Sequence, residues 1–169
     1  MVIWLIGMYG SGKTTIGKAL YEALKKKHNN VVFINGSDIR TIIGDELGYT
    51  VEERLANAGR ISRFCKFLND QGIHVVCAML SLFNETQTWN RENIEDYFEV
   101  YLEVSFDTLL KRDHKNLYRL ALNGKIKNVV GVDIEFVPPK TPDIIINNNQ
   151  MLSDVSPVVE RIIDGTPQL

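Results

Sequence analysis

The residues best suited to chemistry come first. After the short apolar run Val2-Ile3-Trp4-Leu5-Ile6 the chain reads Gly7-Met8-Tyr9-Gly10-Ser11-Gly12-Lys13-Thr14-Thr15. This is the pattern G-x-x-x-x-G-K-[ST], set between an expected strand and an expected helix. Its glycines let successive backbone N–H groups converge on phosphate oxygens, and the lysine reaches the β- and γ-phosphates. The helix that opens behind the loop adds a favourable field for an anion. Gly7, Tyr9, Gly10, Ser11, Gly12, Lys13, Thr14 and Thr15 are therefore the expected contacts for a nucleoside triphosphate. Thr14 is the expected protein ligand for Mg²⁺, a hard cation that takes oxygen donors.

A phosphate loop alone does not separate a kinase from a GTPase or a motor ATPase. The tetrapeptide N-K-x-D that specifies guanine is absent, and no Asp follows the run Val75-Val76-Cys77-Ala78-Met79. Acceptor chemistry must then be organised elsewhere, and the end of the second strand, Ile34-Asn35-Gly36-Ser37-Asp38-Ile39-Arg40, offers the residues for it. Arg54 and Asn57 are three apart on an expected helix and so share a face. A forked guanidinium there suits phosphate or sulfate oxygens, although a solvated helix face is the ordinary reading of such a pair in isolation. Lys111, Arg112, His114, Lys115 and Arg119 form a basic cluster. It reads either as a charged helix face or as a lid that closes on phosphates and excludes water.

Longer matches decide among these readings, and over nearly its full length the chain resembles the adenylylsulfate (APS) kinase family. The family's D-G-D-N-[VI]-R corresponds to Asn35-Gly36-Ser37-Asp38-Ile39-Arg40, and its G-F-S-x-x-D-R-x-x-N to the stretch from Gly48 through Tyr49, Thr50 and Arg54 to Asn57. Its I-S-P-[FY]-R corresponds to Leu80-Ser81-Leu82-Phe83-Asn84. Its R-D-P-K-G-L-Y-K-K-A runs from Arg112 to Ala121, and its G-E-I-K-x-F-T-G-I-D from Gly124 to Asp133. The resemblance implies transfer of the ATP γ-phosphoryl group to the ribose 3′-hydroxyl of a small nucleotide, APS by default. It gives catalytic roles to Lys13, Ser37, Asp38 and Arg112, and acceptor contacts to Arg40, Tyr49, Arg54, Asn57, Ser81, Phe83, Lys115 and Val129.

The departures from the family lie on the acceptor side. Ser37 replaces the second Asp of D-G-D, and Asp38 substitutes for it only if the backbone turns after Gly36. Two aromatics sandwich the acceptor adenine in the family. Tyr49 keeps the first, whereas Val129 replaces the second, and Asn84 replaces an Arg. A pyrimidine acceptor would suit such a site, as in relatives that phosphorylate cytidine diphosphoramidate during capsule modification. A nucleotide-binding protein without catalysis, and a kinase for a sugar or gluconate, are the remaining alternatives.

The elements that must position these residues alternate. Strand-like runs cover 2–6, 31–35, 73–80, 98–104 and 143–147, and helical stretches about 13–28, 51–70, 86–96, 106–122 and 153–164. That order implies an α/β, P-loop NTPase-type three-layer fold, with a mostly parallel five-stranded sheet and helices on both faces. Thr50 and Glu53 form a capping box, Gly72 closes the helix beyond Gln71, and Ser105 and Ser153 are expected N-caps. The Gly- and Pro-punctuated stretch 123–142 is a long loop, and with the basic cluster it makes a lid-like region over about 111–142. All 169 residues suit one domain. A net charge of −2 gives no electrostatic case for nucleic acid, and no apolar run is long enough for a membrane span. The two cysteines, Cys65 and Cys77, lie in apolar surroundings without C-x-x-C spacing and read as buried free thiols in a cytoplasmic protein. A homodimer is the assembly that the resemblance suggests.

Overall fold

The computed structural model describes residues 1–43, 47–150 and 154–167. At its centre is strand β1 (Val2–Ile6), entirely buried. A parallel strand covered on both faces has no solvent side and so reads as an unbroken apolar run. Its neighbours are β3 (His74–Met79) and β4 (Tyr97–Glu103), and the edges are β2 (Val31–Asn35) and β5 (Ile144–Asn147). The order is β2-β3-β1-β4-β5 and every pairing is parallel, so the mostly parallel sheet of the sequence reading is wholly so.

Successive side chains of β1 feed opposite cores. Ile3 and Leu5 pack with Ile16, Leu20 and Leu24 of helix α1 (Lys13–Lys25) and with Val159 and Ile162 of α7 (Ser156–Gly165). Val2, Trp4 and Ile6 pack with Ile61 and Cys65 of α3 (Val51–Asp70) and with Cys77 of β3. Both cysteines are free and fully buried, and burial pushes the Cys77 thiol well up. No helix among the described residues is long and apolar enough to cross a membrane.

The expected caps form where the residue types demand them. Thr50 accepts from the Glu53 amide while Glu53 accepts from the Thr50 amide, and Gly72 takes a φ of 75° just past Gln71. Ser105 caps α5 (Phe106–Lys111) by accepting from Thr108 N at 3.4 Å. Ser153 lies outside the described residues, and α7 begins instead at Ser156, after Val155.

Three expectations are corrected. The helix expected over 106–122 is two, α5 and α6 (Leu117–Leu122). The buried Asp113 carboxylate accepts from Leu117 N at 2.7 Å and Arg119 N at 3.1 Å, which starts a new helix, and Asn116 turns left-handed at φ 55°. A helix the sequence reading omitted, α2 (Gly36–Ile43), begins as soon as β2 ends. Boundaries also shift. After Lys25 the α1 helix closes in a turn, Lys27 N and His28 N both donating to Leu24 O, and α4 runs Asn84–Asn93 rather than 86–96.

Candidate active site

The strands all point the same way, so their carboxyl ends and the loops that follow lie on one edge. In open α/β sheets that edge is where ligands bind. The first of these loops is the glycine-rich one. Gly10 and Gly12 hold φ values of 81° and 96°, which other residue types rarely adopt, and Ser11 N donates to Met8 O at 3.1 Å. Lys13 reaches back into the loop, its Nζ donating to Met8 O at 2.8 Å. Burial lowers the Lys13 pKa to about 7. Thr14 and Thr15 stand exposed in the first turn of α1. Tyr118, fully buried, fixes the loop by donating from its hydroxyl to Tyr9 O at 2.7 Å, and Asn148 Nδ2 donates to Ser11 O at 2.8 Å.

A second cluster lies beyond β2. Because α2 starts at Gly36, the backbone does turn there, and Ser37 and Asp38 share the first helical turn, both exposed. Ser37 Oγ donates to Asp38 Oδ1 at 3.3 Å. Arg40 donates to Leu47 O, and its guanidinium lies 4.6 Å from the centre of the Tyr49 ring. The guanidinium of Arg54 lies 5.2 Å from that same centre and donates to Tyr49 O and Asn128 O, each at 2.8 Å. Burial, then the charge of nearby Arg40, pulls the Arg54 pKa down. Neither guanidinium forms a salt bridge among the described residues. Two guanidiniums flank an aromatic ring that is 55% exposed, with Glu53 acting on Arg40 and Asp133 on Arg54 from beyond salt-bridge distance, an arrangement fit for an anionic ligand with a flat group. Asn57 is buried one turn along α3.

The remaining expected residues are placed less simply. Ser81 follows β3 and accepts the Trp4 indole N–H at 2.9 Å, and Phe83 caps α4. Lys115 is exposed on the turn between α5 and α6. Arg112, expected over the transferring phosphoryl group, instead donates to the carbonyl oxygens of Asn148, Asn149 and Gln150 at 2.8 to 3.2 Å, tying the end of α5 to the loop after β5. Val129, expected to face the acceptor base, is only 4% exposed and packs with Val104, Leu109, Tyr118 and Ala121. The turn behind it is built by Asp133, whose carboxylate accepts from Asn128 N and Val129 N, each at 2.6 Å. Those two amides hold the Asp133 carboxyl below its usual range. A cavity of about 450 Å³ opens between Met8 and this turn.

Sequence reasoning missed Trp4, Asn148, Asp113 and Asp133. Asp113 and Asp133 lie inside matched motifs; an acidic residue ahead of a helix, as Asp113 is, is a capping signal, whereas Asp133 reaches back to amides that precede it. Asn148 sits in the run Asn147-Asn148-Asn149, whose type suits turns but names no partner.

The chain matches the family model for adenylylsulphate kinase over residues 1–147. It is 44% identical over 164 residues to a cytidine diphosphoramidate kinase of Campylobacter jejuni, covering 95% of each chain. It is 37% identical over 164 residues to an adenylyl-sulfate kinase of Pseudomonas aeruginosa, covering 96% of this chain and 83% of the other. Among solved structures it superposes on a Mycobacterium tuberculosis APS kinase in complex with AMPPNP and APS. That match has a TM-score of 0.88 at 25% identity and covers 99% and 97% of the two chains.

Proposed function

The chain belongs to the adenylylsulphate kinase family, and from that membership we propose that it phosphorylates the ribose 3′-hydroxyl of cytidine diphosphoramidate or a closely related cytidine nucleotide. The observation that carries the choice of acceptor is the 44% identity to the Campylobacter jejuni cytidine diphosphoramidate kinase over 95% of each chain. The acceptor side supports it. Tyr49 offers an exposed aromatic face between Arg40 and Arg54, and the buried Val129 offers no face opposite it, so the site suits a small pyrimidine better than an adenine held between two rings. APS is the second reading, favoured by the likeness to the mycobacterial enzyme in complex with APS.

In this reading ATP lies along the glycine-rich loop with Lys13 on its terminal phosphates. The loop fits it: Gly10 and Gly12 take the left-handed φ values that let a glycine-rich turn wrap a phosphate, and Lys13 Nζ donates into that turn at Met8 O and Ser11 Oγ. The Thr14 hydroxyl would hold Mg²⁺ together with phosphate oxygens, and the metal would offset charge on the transferring group. Among the described residues no cluster of three or more His, Cys, Asp or Glu side chains is assembled for a metal. Arg40, Arg54 and Asn57 bind the acceptor anion against Tyr49, Asp38 orients the 3′-hydroxyl from the first turn of α2, and Lys115 closes over the phosphates from the lid-like region 111–142. Positioning and charge account for most phosphoryl transfer, so Ser37 in place of a carboxylate slows the reaction without abolishing it. Two buried free thiols support a reducing, cytoplasmic setting.

The test is an acceptor screen with ATP and Mg²⁺, with products identified by mass spectrometry. Cytidine diphosphoramidate should exceed APS in kcat/KM, the ratio that measures specificity. Strong discrimination for APS over every cytidine nucleotide would leave an APS kinase with a redrawn pocket.

A further inference from the structure

The turn after β3 is held more firmly than a connecting loop requires. Ser81 takes a φ of 54°, in the left-handed region. A non-glycine residue persists there only where its surroundings over-determine it, and such positions gather at functional sites. Two buried donors do the holding. Trp4 Nε1 donates to Ser81 Oγ at 2.9 Å, and Gln87 Nε2 donates to Ser81 O at 3.2 Å. Trp4 is 0%, Gln87 5% and Ser81 7% exposed.

Trp4 belongs to β1, the strand that runs directly into the phosphate loop. Its ring packs in the apolar cluster, fully buried, with the Tyr97 ring 6.2 Å away, and a phenyl group would fill less of that space. Besides that volume, the indole supplies an N–H that no phenyl has. An indole nitrogen donates and never accepts, so Ser81 Oγ must accept there, which leaves its own proton for another oxygen. In a site shielded from water, such a chain of donors strengthens its last member.

We infer that Trp4 is a positioning residue for the phosphoryl acceptor. With Gln87 it locks Ser81 in the left-handed conformation and reserves the Ser81 hydroxyl proton for an anionic oxygen of the acceptor nucleotide. One strand thereby sets both halves of the site, the ATP loop through its backbone and the acceptor turn through one side chain. The inference rests on the reading of Ser81 as an acceptor ligand.

A double-mutant cycle with Trp4→Phe and Ser81→Ala tests it, reading kcat/KM for cytidine diphosphoramidate and KM for ATP separately. Trp4→Phe should lower the acceptor kcat/KM at least ~10-fold with the ATP KM within about twofold, and in the Ser81→Ala background its further effect should fall below about twofold. Equal losses in both backgrounds, or an ATP KM that rises in step, would show that the indole acts by packing alone and would overturn the proposal. A harmless Ser81→Ala removes Ser81 as an acceptor ligand and the Trp4 role with it. A harmful Ser81→Ala beside a harmless Trp4→Phe removes only the Trp4 role. If circular dichroism shows Trp4→Phe unfolded, Gln87→Met, of similar length and without the N–H, takes its place in the cycle with the same outcomes.

Discussion

Among the described residues Lys13 forms no salt bridge. It donates to Met8 O, and burial brings its pKa to about 7, far below the usual lysine value. Because the folded value lies below the unfolded one, the native state binds fewer protons above pH ~7, and this group's contribution to stability rises with pH from there towards ~10.5. ATP phosphates favour the charged form. Binding at pH 8 to 9 should therefore take up close to one proton and at pH 6 almost none. Calorimetric binding enthalpies in buffers of different ionisation enthalpy measure this, and Lys13→Met should abolish the uptake. The same variant should lose at least ~10²-fold in turnover, the scale of one electrostatic donor to a transition state. Val129 leads to the opposite kind of expectation. The sequence suggests that Val129→Phe would restore a stacking face and shift preference towards APS. In the fold the side chain is 4% exposed beside Leu109 and Tyr118, so the added ring overpacks that cluster at a cost of about 1–3 kcal/mol. Urea denaturation should show the loss, with the ratio of APS to cytidine use unchanged. The place of Lys13 in the loop was legible because its spacing to glycine is fixed by chemistry. The burial of Val129 was not, because a motif assigns a position to a site without saying which way its side chain points.

At the scale of elements, short-range chemistry decided what could be read. The capping box of α3 and the Ser105 cap of α5 were visible because each is a local bond between residues three apart. Helix α2 was hidden by its position. Gly36-Ser37-Asp38 looks like turn chemistry at a strand end, and the helix that follows buries Ile39 deeply but leaves Ile42 77% exposed. The break between α5 and α6 was hidden because the helical pattern continues through it and only the buried Asp113 carboxylate resets the hydrogen bonding. Asp113→Ala removes an acceptor for two amides and should cost about 1–2 kcal/mol, the upper part of the range for a lost N-cap. The midpoint in urea should fall with the slope unchanged, since the surface exposed on unfolding stays the same. A changed slope would mean that α6 had already melted in the folded state.

The whole molecule separates stability from chemistry. The two large cores run along the strands on either face of the sheet, while the expected site residues gather beyond the carboxyl ends. The strand order could not be read from the sequence, because buried parallel strands give continuous apolar runs that carry no mark of neighbour or edge. The cysteines offer a direct measure of the coupling between the two regions. Cys65 and Cys77 are 0% exposed between α3 and β3, and β3 pairs with β1, whose end becomes the phosphate loop. Any opening that exposes these thiols to a reagent must part β3 from α3 and disrupt the strand that supports the ATP site. Under native conditions a thiol reagent should therefore label neither cysteine rapidly, and both should react at once in denaturant. Because ATP binds only the closed form, labelling should slow by the factor 1 + [ATP]/Kd, about 100-fold when ATP is held at 100 times its Kd. In Lys13→Ala, with its weakened ATP contact, the same ATP concentration should give far less protection. Fast native labelling that ATP leaves unchanged would mean that α3 lifts from the sheet without disturbing the loop, and the two regions would then be independent.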